Sequence, residues 1–287
     1  MIAKAFAPGN ISCVFVIQKE KNPAKSGSLG MGFTVNKGVI ATIKKLNNNI
    51  KFNKRNQKNN NKIYFNRKKI NFPTVNSVIK KLTDKNVVVS LKSDFPLGMG
   101  FGISGASALA TTYALNKLLN LRKSKKELAL IAHIAEVENS TGLGDVVNQY
   151  FGGFLIKYES SYKFKVKRIP LSNKKIYYRY FSPIDTKKVI SNKKSENRIN
   201  RAGIQALNKI KKLDKNNLNL KNLIEVSKEF SDKSGLLKTK RVINAIKNIE
   251  NNDGNASMIM LGNAVFSDVK FRGSRELIIK NKGAHLL

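Results

Sequence analysis

Between Pro96 and Asn116 the chain reads PLGMGFGISGASALATTYALN. Gly98, Gly100 and Gly102 alternate with apolar residues. Ser104, Gly105, Ala106 and Ser107 follow and lead into a run of helix formers. Glycines at alternate positions let a backbone approach a ligand closely. A loop that runs into a helix start collects free N–H groups beside the positive end of the helix dipole, which suits a phosphate. Serine hydroxyls add donors or a ligand for Mg2+. The same spacing also suits a tight turn between a strand and a helix. The pattern G-x-x-x-x-G-K-[ST] is absent, so no Walker lysine serves the phosphates. Gly100-x-Gly102-x-x-Gly105 fits the dinucleotide pattern, but no acidic residue suited to a ribose follows at about 20 residues.

His133, Glu136, Glu138 and Asp145 form a second group. His133 and Glu136 stand at i and i+3, on one face of a helix that is otherwise apolar there. Glu138 is rotated by about 200° from Glu136, so one of the two glutamates faces solvent. Asp145 ends the turn GLGD. One carboxylate on the helix and one on the turn could hold Mg2+, accept a proton, or do both. A solvated helix end, with Asp145 capping the next helix, explains the same residues. Lys157 lies on a strand after Gly152 and Gly153, on the face opposite Phe154 and Ile156. Ser28 sits among glycines in SGSLGMG, which suits a substrate loop and an ordinary turn equally.

Elements that must position these groups follow from local pattern. VFVI (14–17) and NVVVSLKSDFP (86–96) read as strands, the second ended by Pro96. Residues 33–46 read as a hairpin turning at Asn36 to Gly38. Helices are expected at 107–121 and 124–140, the latter opened by a Ser124/Glu127 capping box. Residues 146–158 read as a short helix, a Gly-Gly turn and a strand. Beyond Lys163 helical patterns recur at about 194–213, 220–234 and 238–250, then a strand-turn-helix at 255–269 and a final strand or helix at 273–280. The change in texture places the boundary between two closely packed lobes near 160–180, here taken as residues 1–165 and 166–287.

The 287 residues carry 54 basic and 18 acidic side chains, a formal charge of +36. Such a balance suits nucleic acid or an anionic surface. Residues 44–69 hold ten basic residues and no acidic one, with Phe52, Tyr64 and Phe65 interleaved. However, the excess is mostly lysine, spread along the chain and accompanied by Asn and Ile, as an A/T-rich genome would produce. No apolar run approaches the roughly 18 residues of a membrane span, and Pro8 and Gly9 interrupt what a signal peptide would need. A cytoplasmic protein is expected. The single cysteine, Cys13, rules out internal disulfides, and two histidines make a His-rich metal site improbable.

Together these segments resemble the GHMP kinases, whose second motif has the usual form P-x-x-x-G-L-G-S-S-A. GLGD, with Gly152-Gly153 seven residues after the aspartate, is similar to their catalytic segment. APGNIS (7–12) resembles their first motif and MLGNAVF (260–266) a degenerate third. Within the superfamily the order SGSLGMGF, GFGISGASALA, AHIAEVENSTGLGDVV, MLGNAVF is most similar to the archaeal pantoate kinases.

The resemblance implies a two-lobed α+β fold, with an N-terminal lobe like ribosomal protein S5 domain 2 and a ferredoxin-like C-terminal lobe. It implies ATP and Mg2+ as cofactors. Pro96, Gly98, Gly100, Gly102, Ser104, Gly105, Ala106 and Ser107 would cradle the nucleotide, Ser107 as a helix-cap residue. Ser104 and Glu136 would bind Mg2+, and Asp145 would be catalytic. Ser28, His133 and Lys157 would bind (R)-pantoate, the partner molecule, whose primary hydroxyl would be phosphorylated to 4-phosphopantoate for coenzyme A synthesis. Two positions depart from the pattern: Ile103 stands where many members have serine, and Lys157 where pantoate kinases usually have arginine. Three alternatives remain: a relative acting on mevalonate, homoserine or shikimate, a basic nucleic-acid-binding protein, and a kinase fold without activity. A homodimer stays open.

Overall fold

The computed structural model describes residues 1–46, 61–185, 187, 189, 193–214 and 216–287. The loose tip expected within 44–69 therefore lies largely outside the described residues. What is described there is β3 (Lys62–Phe65), which turns through Asn66 and Arg67 at positive φ into β4 (Lys68–Lys69).

Two long antiparallel strands, β1 (Ile2–Gln18) and β2 (Gly27–Lys45), organise the first sheet. Residues 33–46 are thus not a hairpin but part of one bent strand. Asn36 and Gly38 look like turn formers, yet glycine is needed at 38 for another reason. A Cβ there would lie 2.2 Å from the Ala7 carbonyl oxygen, so only glycine lets the two backbones close up. The alternating Val87, Val89 and Leu91 bury one face of β5 (Val87–Ser93), which pairs with β2 and, in parallel, with β3. The sheet runs β12-β1-β2-β5-β3-β4, with β6 (Phe154–Lys157) on β2, β7 (Lys167–Ile169) on β6, and β12 (His285–Leu286) on β1.

Helices α2 (Ile103–Leu119) and α4 (Asp145–Phe151) pack on this sheet, and α1 (Pro73–Leu82) and α3 (Lys125–Glu138) pack against α2. The small residues of α2 let it sit nearly enclosed, from Ile103 to Leu118. At α3 the capping box forms as expected. A second, antiparallel sheet runs β11-β8-β10-β9, from β8 (Lys175–Pro183), β9 (Ala256–Met258), β10 (Gly262–Ser267) and β11 (Arg275–Ile278). The stretch 255–269 is therefore strand-turn-strand rather than strand-turn-helix. Its short apolar run has no length for a helix, and Leu261 makes the turn at φ 61°. Helices α5 (Lys193–Lys212), α6 (Leu220–Lys233) and α7 (Lys240–Glu250) fall where helical spacing placed them.

Aromatic packing ties the sheets together. Phe95, just before the glycine loop, and Phe101, within it, stack at 4.1 Å between ring centroids, and Tyr178 of β8 meets both edge-on at 5.8 and 5.2 Å. All three rings are buried, each contributing about 2–3 kcal/mol by burial. Among the described residues no helix is long and apolar enough to cross a membrane.

Candidate active site

Gly98, Gly100 and Gly102 all adopt positive φ, at 78°, 84° and 60°. Side chains rarely tolerate that backbone, and the loop uses it to touch its neighbours. A Cβ on Gly100 would stand 2.8 Å from the Met260 carbonyl oxygen, and one on Gly98 3.0 Å from Pro183. The glycines therefore do two things at once: they make a tight turn, and that turn delivers backbone to a helix start. Gly102 caps α2, so the first amides of the helix, at Ile103 to Gly105, have no intrahelical partner. Ser107 consequently does not cap the helix. It lies in the second turn, fully buried, and its Oγ has no partner among the described residues.

A cleft of about 380 Å3 opens over this loop and is bordered by Gly98, Gly100, Gly102, Ser104, Thr141 and Asp145. Pro96, Gly105, Ala106 and Ser107 support it without lining it. Ser104 Oγ donates to Thr74 Oγ1 at 3.3 Å. The Thr74 and Thr141 hydroxyls lie 3.1 Å apart, and Thr141 donates to Glu136 Oε1 at 3.3 Å. Glu136 is buried, whereas Glu138 is exposed and pairs with Lys81. Gly105 and Gly142 flank the Glu136 carboxylate so closely that a Cβ on either would lie 2.7 or 2.6 Å from Oε2. That oxygen has no hydrogen bond among the described residues. Burial, and then the neighbouring Asp145 charge, push the Glu136 carboxyl well above its usual range.

Asp145 opens α4 under Gly102. Asn10 donates its amide to Asp145 Oδ1 at 2.6 Å and Ser12 its hydroxyl to the same oxygen at 3.2 Å. Asn148 in turn donates to Asn10 Oδ1 at 2.9 Å. Desolvation raises the Asp145 carboxyl, while Lys157 and the two donors oppose the rise. Beyond Asp145 a small pocket continues, bordered by Ser28, Gly144 and Lys157 on one side and by Val14, Met31 and Leu143 on another. Lys157 is buried and donates to the Gly144 carbonyl at 2.8 Å. Burial lowers its ammonium to about 8, against the pull of Asp145. The bare Cα of Gly144 leaves room for both polar ends, since a Cβ there would strike Ser28 Oγ and Lys157 Nζ. Asp145 and Ser12 border both spaces.

His133 is not at the pocket wall. It is buried in α3, with Nε2 2.9 Å from the Ser26 carbonyl, and burial keeps its pKa low. The neutral ring therefore donates from Nε2 and steadies the segment that presents Ser28 two residues later. Asn10, Ser12, Thr74 and Thr141 were given no role by the sequence. Asn10 and Ser12 stand in the quoted APGNIS segment, which was the available signal. Nothing marked the two threonines.

Residues 71–153 match the model of the GHMP kinases N terminal domain. A pantoate kinase of Methanocaldococcus jannaschii is 36% identical over 270 residues, 91% of this chain and 90% of that protein. The chain belongs to the pantoate kinase family of the GHMP kinases. A pantoate kinase of Methanospirillum hungatei is 29% identical, over 92% of this chain and 86% of its own length. A solved structure described as a phosphotransferase related to the CoA biosynthesis pathway superposes with a TM-score of 0.83 at 22% identity, covering 100% of this chain and 98% of the other. That likeness is one of fold: the two-lobed α+β architecture of the GHMP kinases. Ile103 is buried at the start of α2, and Thr74 brings a hydroxyl beside Ser104.

Proposed function

We propose that the chain transfers the γ-phosphoryl group of ATP to the primary hydroxyl of (R)-pantoate, giving 4-phosphopantoate, in the cytoplasm. One observation carries this: Asp145 borders both the cleft over the glycine loop and the pocket of Ser28 and Lys157. A group at that junction can reach a donor phosphate on one side and an acceptor alcohol on the other.

Phosphoryl transfer asks the protein mainly for positioning and charge neutralisation. The amides at the start of α2 and the glycine loop would hold the phosphates. The residues present fit Mg2+. Burial raises both carboxyls, the Asp145 charge raises Glu136 further, and Glu136 Oε2 has no hydrogen bond among the described residues, so the site favours a cation. Mg2+ needs only one or two carboxylates and keeps waters for its other positions. Glu136 and Ser104 would hold it, and it would neutralise phosphate charge when bound. Asp145, its Oδ1 fixed by Asn10 and Ser12, would orient the attacking hydroxyl and take its proton. Lys157 and Ser28 would hold the pantoate carboxylate and 2-hydroxyl, and Val14, Met31 and Leu143 offer apolar surface to the dimethyl carbon. His133 would act by fixing the Ser26–Ser28 segment. On this assignment residues 1–165 form the nucleotide-binding lobe, and residues 166–287 close the cleft through Met260 and Leu261.

The test is a panel of pantoate, mevalonate, homoserine and shikimate with MgATP, reading ADP release. Pantoate should give turnover far above the acceptor-free blank. Turnover with another alcohol, and none with pantoate, would replace the substrate assignment.

A further inference from the structure

A larger pocket, about 700 Å3, lies apart from this site on the second sheet. Its walls are β8, α7 and the turn 269–272. Strand alternation sends Tyr178 into the inter-sheet core and Arg179 and Phe181 to the opposite face. Three kinds of group converge there. Arg179, Arg241, Lys270 and Arg272 supply cations, with no carboxylate in the lining. None of the four forms an ion pair among the described residues. Asn244 and Asn248 stand at i and i+4 on one face of α7, and Asn252, in the turn just past the helix, lines the same pocket. The Asn244 and Asn248 amides have no hydrogen-bond partner among the described residues. Phe181 and the half-buried Phe271 supply ring surface.

Arg179 is already ordered. Its guanidinium lies over the Phe181 ring at 5.1 Å, donates to the Arg272 carbonyl at 3.3 Å, and packs on Gly273, where a Cβ would stand 3.1 Å from Nη1. A planar cation stacked and tethered in this way loses little freedom when it meets an anion. Inorganic polyphosphate would use the cations but neither the rings nor the carboxamides. Carboxamides offer donors and acceptors together, which suits the edge of a base, and rings and guanidinium planes suit its face. The volume falls within the range of sites that enclose one small molecule.

We propose that this pocket is a second site for a small phosphorylated nucleotide, separate from the catalytic cleft. The test is calorimetric titration of the full chain with ADP at about 150 mM salt, where loose surface attraction is screened. The comparison is between the parent and Arg179→Ala/Arg241→Ala. The variant should bind one ADP fewer per chain, or bind it at least tenfold more weakly, and keep its ADP-release rate with saturating substrates. Arg241→Ala alone, on the exposed helix face, serves if the double variant does not fold. Tripolyphosphate should compete at this site at least tenfold less well than ADP. Equal ADP stoichiometry and affinity in parent and variant would overturn the proposal. So would tripolyphosphate competing as well as ADP, or binding of a single-stranded oligonucleotide without binding of ADP. If the cleft itself binds no nucleotide, the site lost in the variant is still counted, so the two ideas fail separately.

Discussion

Asn10 Nδ2, on β1, lies 2.6 Å from Asp145 Oδ1 and holds the carboxylate that opens α4. Ser12 binds the same oxygen. Oδ2 has no hydrogen bond among the described residues, so the two donors fix which oxygen remains available to a substrate hydroxyl.

Removing the shorter bond should loosen that geometry. A charge-assisted hydrogen bond contributes about 1.5–3 kcal/mol, and every 1.36 kcal/mol is about a factor of ten in rate. Asn10→Ala should therefore lower kcat roughly 10- to 100-fold while leaving KM for ATP nearly unchanged. Steady-state kinetics at saturating pantoate checks this. An unchanged kcat would remove Asn10 from the positioning of Asp145.

On the proposed assignment, Lys157 gives the activity a pH dependence of defined direction. Burial lowers its ammonium to about 8, so in the free enzyme the charge is present below that pH and lost above it. A deprotonated lysine cannot neutralise the pantoate carboxylate. The ratio kcat/KM for pantoate should fall as pH rises through 8. Lys157→Arg, whose guanidinium stays charged up to roughly pH 12, should abolish that alkaline limb. The same limb in the variant would assign it to another group.

Thr141 should tune Mg2+ binding through Glu136. Thr141→Val keeps the shape but leaves Glu136 Oε1 without its donor. A loss of about 1 kcal/mol corresponds to a roughly fivefold higher half-saturating Mg2+ concentration. The rise in thermal midpoint that Mg2+ and ADP produce together should shift to higher metal by the same factor, and Thr141→Ser should restore it. Identical Mg2+ titrations for parent and Val variant would show that the hydroxyl chain has no part in metal binding.

Much of this site was legible because its signals are local. Alternate glycines before a run of helix formers can be read without tertiary structure, as can a glutamate on an apolar helix face and an aspartate ending a glycine turn. The threonines could not. Thr74 starts α1 and Thr141 follows α3, and they meet Ser104 only when three helices pack. Asn10 lay in a quoted segment, but its partner is fixed by the β1–α4 approach. His133 had the right helix face and a different neighbour, since spacing gives direction around a helix and not what fills the space there. The hairpin reading of 33–46 failed because glycine at 38 answers a close strand approach rather than a turn.

The most direct measurement is single-turnover and steady-state ADP release with pantoate and MgATP for the parent and Asp145→Asn. Asparagine keeps the size of the side chain but cannot take the hydroxyl proton. Loss of a positioned general base costs about 10^2- to 10^4-fold. The account predicts a fall of that order in kcat with little change in KM for ATP. A variant that turns over pantoate at the parental rate would contradict it.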